Sequence, residues 1–137
     1  MKDFKILDIA TADMAFSAFG KTKAKMFENS AKALMSIMFE EKTKKKVTKK
    51  INVKADDEVA LLHDFLSELL FLFDTEHIIF NGFKVKIKEN ILEAEVTGEK
   101  FDSKRHKFII DVKAITYHKM SVEKTKDGFK CTVIVDV

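Results

Sequence analysis

The stretch from Asp111 to Val137 limits the possible folds more than any other part of the chain. Phe129 to Val135 is almost wholly apolar, which suits a buried strand, and Asp127-Gly128 precedes it. That dipeptide favours a two-residue hairpin turn, because both central positions of a type I′ turn need positive φ. The spacing predicts a hairpin with a first strand carrying Val112 to His118 and a second running from Phe129 to Val137. Pairing outward from the turn sets Val122 opposite Val133, Met120 opposite Val135 and Lys119 opposite Asp136. A carboxylate in the last step of an apolar strand is costly to bury without a cation or hydrogen-bond donors. Asp136 therefore marks an acidic corner as the candidate site.

A chain of 137 residues fits one domain, 1–137, with a conventional core and no need of disulfide or metal staples. Thirteen Phe, one Tyr and no Trp predict a core built on phenylalanine. The absence of Pro and the scarcity of Gly leave little room for long irregular loops. The single Cys131 lies inside an apolar strand and reads as a small buried hydrophobe in a reducing compartment. The N-terminal residues lack a signal-peptide layout, and the apolar run Leu69 to Phe73 is too short to span a bilayer. The expected location is cytoplasmic, with no membrane partner.

Net charge is +3 and unevenly spread. Glu41 to Lys54 holds seven Lys against one acidic residue. Such a run is either a solvated loop and strand edge or a contact for a polyanion such as RNA. No aromatic residue is interleaved for base stacking.

Phe4 to Ile9 and Met14 to Phe19 read as strands joined through Ala10-Thr11-Ala12-Asp13. Thr22 can cap a helix reaching about Phe39, with Ala24, Phe27, Ala31, Leu34, Met35 and Met38 on one face. Val47 to Lys54 is a strand whose apolar face also carries Lys49, so its start is expected at an exposed edge. Asp56-Asp57-Glu58 caps a second helix, the main wall of the core, with Leu62, Phe65, Leu66, Leu69, Leu70 and Phe73 as its buried stripe. His63 is expected to face solvent, and Asp74-Thr75-Glu76 closes this helix. Ile78 to Lys88 and Ile91 to Thr97 form a hairpin around Glu89-Asn90. Its register sets Lys86 opposite Glu93 and Lys84 opposite Glu95 on one face, with Val85 by Ala94 and Ile87 by Leu92 on the other. The order β-β-α-β-α-β-β-β-β predicts an α+β two-layer sandwich, two helices packed on one mostly antiparallel or mixed sheet.

No phosphate-binding glycine loop, nucleophile elbow or paired-Cys zinc spacing occurs, and no two of the four His lie at i,i+4 on a helix. No nucleophile–base pair is visible, so a non-enzymatic role is expected. Oxygen chemistry remains. If the N-terminal strand lies beside the C-terminal one, Asp13 and Asp136 could converge with a main-chain carbonyl as hard donors for Ca²⁺ or Mg²⁺. Otherwise they are separate surface carboxylates.

Five motifs together resemble the archease family. They are Ala10-Thr11-Ala12-Asp13 with Ala18-Phe19-Gly20-Lys21-Thr22, then Phe27-Glu28-Asn29-Ser30-Ala31, the run Asp64 to Glu76, Val112-Lys113-Ala114-Ile115-Thr116-Tyr117-His118, and Val133-Ile134-Val135-Asp136-Val137. The match spans nearly the whole chain in order. The resemblance implies a non-catalytic cofactor of the RtcB-type tRNA-splicing RNA ligase. Such a cofactor promotes guanylylation and repeated turnover of the ligase and meets tRNA indirectly, through the ligase. It also implies a divalent-cation site, Ca²⁺ first with Mg²⁺ or Mn²⁺ as alternatives, formed by Asp13, Asp136 and the main-chain oxygen of Val137. Lys113, His118 and Asp74 are the residues it implies for ligase activation. Many members carry His where this chain has Ala10, so any imidazole role there is absent. The rival reading is a stand-alone RNA-binding or chaperone-like module using residues 42–54.

Overall fold

The computed structural model describes residues 2–7, 13–40 and 43–137. Ala10 and Lys42, both singled out above, lie outside the described residues. The elements in order are β1 (Phe4–Leu7), β2 (Asp13–Gly20), α1 (Lys23–Met38), β3 (Val47–Lys54), α2 (Glu58–Glu76), β4 (Ile78–Lys88), β5 (Ile91–Lys100), β6 (Ala114–Ile115), β7 (Ser121–Thr125) and β8 (Gly128–Asp136).

Both helices start where their caps predict. Thr22 Oγ1 accepts the Lys25 N–H at 3.1 Å, and Asp57 Oδ1 accepts the Ala60 N–H at 2.8 Å. α2 stops at His77, which takes the left-handed conformation (φ 58°) and sends its N–H back to the Phe73 carbonyl. Leu62, Phe65, Leu66 and Leu69 on α2 are fully buried, as are Phe27, Ala31 and Leu34 on α1, and Phe27 stacks on Phe65 with centroids 6.2 Å apart. At the far end of the two helices Phe39, Phe73, Phe101 and Phe108 form a knot of tilted and edge-to-face rings. Cys131 is buried in this core, which pushes its thiol up to about 12 and leaves it chemically inert.

The α+β class and the two helices are as expected, but the strands divide into two antiparallel sheets rather than one. The first runs β1-β2-β8-β6, with β7 also on β8, and the second runs β3-β5-β4. α1 lies against β2 of the first and β4 of the second, so one core serves both. The physical reason is that each sheet has its own apolar face, Phe16, Ala18, Val133 and Val135 on one and Ile51, Val96 and Val85 on the other. Two helices are enough to separate and cover both. Among the described residues no helix is long and apolar enough to cross a membrane.

The β4–β5 hairpin has the predicted register, Lys86↔Glu93, Lys84↔Glu95 and Val85↔Ala94. β3 lies at the edge of its sheet, as expected, and Lys49 at its start reaches Glu76 at the end of α2 at 2.7 Å, which accommodates a cation on that face. The C-terminal hairpin needs correcting. Thr125 pairs with Gly128 and Val122 with Cys131, so Lys126 and Asp127 are the central turn residues. The two-residue shift keeps the β7 side chains on their predicted faces, whereas beyond the Lys119 turn the segment's faces are reversed, Ala114 and not an odd-numbered neighbour lying opposite Asp136. Gly128 has φ +152°, and a Cβ there would lie 2.2 Å from the Gly20 carbonyl oxygen, so glycine is required by close approach and not by the turn centre. The strand opposite β8 is broken. β7 pairs first, a turn around Lys119 (φ 53°) follows, and β6 pairs again near the end. Lys119 is therefore not opposite Asp136.

Candidate metal centre

β2 and β8 are neighbours in the middle of the first sheet, and their ladder pairs Asp13 directly with Asp136. Partners across an antiparallel ladder project to the same face, with Cβ atoms about 5 Å apart. Asp136 faces Ala114 of β6 on its other side. Both aspartates are exposed, on the face opposite the core, where Ala15 pairs with Ile134 and Ser17 with Thr132. Among the described residues no Lys, Arg or His makes an ion pair with either carboxylate.

Two like charges set opposite each other destabilise a ladder unless a cation or a proton relieves them. The two carboxylates are hard oxygen donors, and the family resemblance would add the main-chain oxygen of Val137. Such a set fits Ca²⁺, Mg²⁺ or Mn²⁺ and not a soft metal. Among the described residues no group of three or more His, Cys, Asp and Glu side chains is gathered, so main-chain oxygen and water would complete the shell.

The segment beside this corner is pinned by its own hydrogen bonds. The Lys113 N–H donates to the Asp136 carbonyl at 2.8 Å, and the Thr116 N–H and hydroxyl both donate to the Ile134 carbonyl, at 3.1 and 2.9 Å. Lys113 and His118 are exposed, one where the chain joins β6 and the other in the turn after it. Asp74 is not brought to the corner. It lies eleven residues along α2 from His63, which is about 16 Å of helix, near the phenylalanine knot.

His63 does not simply face solvent. Its ring stacks on Tyr117, centroids 3.9 Å apart and planes 10° from parallel. Nε2 lies 3.1 Å from the Ile115 carbonyl and Nδ1 lies 3.0 Å from Asp64 Oδ1. Both partners are acceptors, so a neutral ring, with its single N–H, donates to one of them at a time. This clasp ties the start of α2 to β6, one residue from Ala114. Partial desolvation, followed by the Asp64 and Asp57 carboxylates, raises the Tyr117 hydroxyl above its ordinary value. No local signal in the sequence could have found the clasp, because its two halves lie more than fifty residues apart.

Comparison with known proteins decides the family. The model of the Archease protein family (MTH1598/TM1083) matches residues 4–137. The chain belongs to the archease family. It is 39% identical over 142 residues to the archease of Methanosarcina barkeri, covering 99% of this chain and 97% of that one. It is 42% identical over 123 residues to the archease of Pyrococcus furiosus, covering 86% and 87%. The solution structure of Methanobacterium thermoautotrophicum protein 1598 superimposes with a TM-score of 0.88 at 36% identity over the full length of both chains. The crystal structure of a Thermotoga maritima archease, described as a possible chaperone, shares the fold at a TM-score of 0.67 and 18% identity, covering 93% of each chain.

Proposed function

We propose that this archease is a non-catalytic activator of an RtcB-type tRNA-splicing RNA ligase, acting in the cytoplasm through the acidic corner. The observation that carries the reading is the direct register of Asp13 and Asp136. Two exposed carboxylates stand opposite each other, beside a segment whose main chain is bonded to Asp136.

Asp13, Asp136 and the Val137 main-chain oxygen would hold a divalent cation, calcium first, which would neutralise the facing carboxylates and tie the ends of β2 and β8 together. The chain's own contribution is pre-organisation. The Lys113 N–H bond to Asp136 and the His63–Tyr117 clasp hold residues 113–118 against the corner. Lys113 and His118 are thereby presented to the ligase beside the acidic pair. Asp74, at the other end of α2, would act only through a separate contact.

The test is multiple-turnover ligation with substoichiometric ligase, with and without the protein. Wild-type protein should sustain turnover beyond one product per ligase. Asp13→Asn should abolish that gain while keeping a cooperative unfolding transition; unchanged turnover with this variant refutes the reading.

A further inference from the structure

The solvent face of the second sheet carries a lysine array that the acidic corner does not use. Along β3, Lys50, Asn52 and Lys54 point out, and along β4, Lys84, Lys86 and Lys88 do; all are exposed. The central strand β5 contributes Glu95, Glu93 and Ile91 between them, in rows Lys50–Glu95–Lys84, Asn52–Glu93–Lys86 and Lys54–Ile91–Lys88. Both helices pack on the opposite face, which holds Ile51, Ala94, Val96 and Val85. The loop before β3 adds Lys45, whose Cε lies 3.3 Å from where a Gly82 Cβ would stand. Lys50, Lys84 and Lys86 line a shallow depression of 540 Å³ together with Glu93 and Glu95, and Lys45, Lys54 and Lys88 lie around it on the same face. Among the described residues none of these lysines makes an ion pair, although the ladder sets two of them beside Glu95.

We infer that this face binds the phosphate backbone of an RNA strand without regard to sequence. The backbone positions of these lysines form two rows about 10 Å apart across β5, stepping by about 7 Å along β4 and by about 13 Å from Lys50 to Lys54 on β3. Repeated positive charge along a sheet face, unpaired among the described residues, suits a polymer with one negative charge per nucleotide. Among the described residues the face carries no aromatic anchor, and Ile91 is the one large apolar side chain in its rows. Protein interfaces are depleted in lysine and centred on such anchors, which argues against an acidic protein. The lack of stacking rings likewise limits readout to phosphate and sugar. The choice of RNA over other polyphosphates rests on the ligase reading above; binding through this face does not.

The experiment is fluorescence anisotropy of a labelled mixed-sequence RNA of about 16 nucleotides, without ligase, at about 50 and about 200 mM salt. The variants are Lys50→Gln/Lys84→Gln/Lys86→Gln and, as an equal change of charge elsewhere, Lys5→Gln/Lys124→Gln/Lys126→Gln. We expect measurable binding that the first triple weakens more than about tenfold at the lower salt, with the salt slope smaller by about 2, and that the control leaves within about twofold. Glu93→Gln/Glu95→Gln should tighten it severalfold. No binding at the lower salt overturns the inference. So does equal weakening by both triples, or poly-glutamate competing as well as unlabelled RNA. RNA binding by this face with no ligase stimulation would leave the inference standing and sink the activator reading.

Discussion

Asp13 and Asp136 are 123 residues apart in the chain and direct partners in the β2–β8 ladder. Their carboxylates share one exposed face with no cationic side chain paired to either among the described residues.

The first prediction follows from that charge pair. In chelator, Asp136→Asn should raise stability by a few tenths to about 1 kcal/mol, because it removes a like-charge pair across the ladder. With calcium at about a hundred times its dissociation constant, wild type should gain about 2.7 kcal/mol and the variant almost nothing. Urea unfolding with and without calcium measures both; a variant less stable than wild type in chelator contradicts the repulsion.

A second prediction concerns the clasp between α2 and β6. His63→Ala removes the stack on Tyr117 and the contact with the Ile115 carbonyl while leaving the core intact. Global stability should fall by about 1 kcal/mol, and amide exchange should quicken selectively in residues 113–118. Ligase stimulation should drop in proportion. Unchanged exchange in that segment would show that the clasp holds nothing.

The third prediction is a pH dependence centred on Glu99. This carboxylate is almost wholly inaccessible and meets Arg105 Nη2 and His106 Nε2 through one oxygen. His106 Nδ1 accepts the Asp102 N–H at 2.9 Å, so a neutral ring carries its proton on Nε2 and donates to Glu99. Burial alone would raise the Glu99 carboxyl, but the hydrogen bonds from Arg105, His106 and the Lys44 backbone outweigh it and hold it below the ordinary value of 4.5. A carboxyl lowered in the folded state contributes stability that is fully present above its unfolded value and is lost as pH falls through the folded one. Stability should therefore decline on acidification below pH 4.5, and Glu99→Gln should lower the melting temperature at neutral pH and flatten that acid limb. Parallel acid limbs for the two proteins would contradict the assignment.

Local chemistry made much of the fold legible. Thr22 and Asp57 cap the helices they predict, and alternation in Lys84–Ile87 and Leu92–Glu95 fixes the β4–β5 register. The failures are non-local. Asp127-Gly128 has the composition of a turn centre, but the glycine is placed by the Gly20 carbonyl, a residue more than a hundred positions away. The division into two sheets depends on how two helices distribute between two apolar faces, which periodicity along one strand does not encode. At the site, the two acidic residues stand out in the sequence by type and position. Their pairing depends on β2 folding beside β8, and the His63–Tyr117 stack has no local mark.

A fourth prediction tests that correction. Gly128→Ala should destabilise by more than the 1 kcal/mol or so of an ordinary glycine replacement, because backbone at Gly20 and Lys21 blocks the new Cβ and φ is positive. Asp127→Ala at the turn itself should be milder. The reverse order in urea unfolding would restore Asp127-Gly128 as the turn centre.

The most direct measurement is an isothermal calorimetric titration of calcium into chelator-treated wild type, Asp13→Asn and Asp136→Asn. The shared site predicts one ion per chain for wild type and loss of that binding in both single variants. One variant binding as wild type does, or a wild-type protein that takes up no calcium, magnesium or manganese, would contradict it.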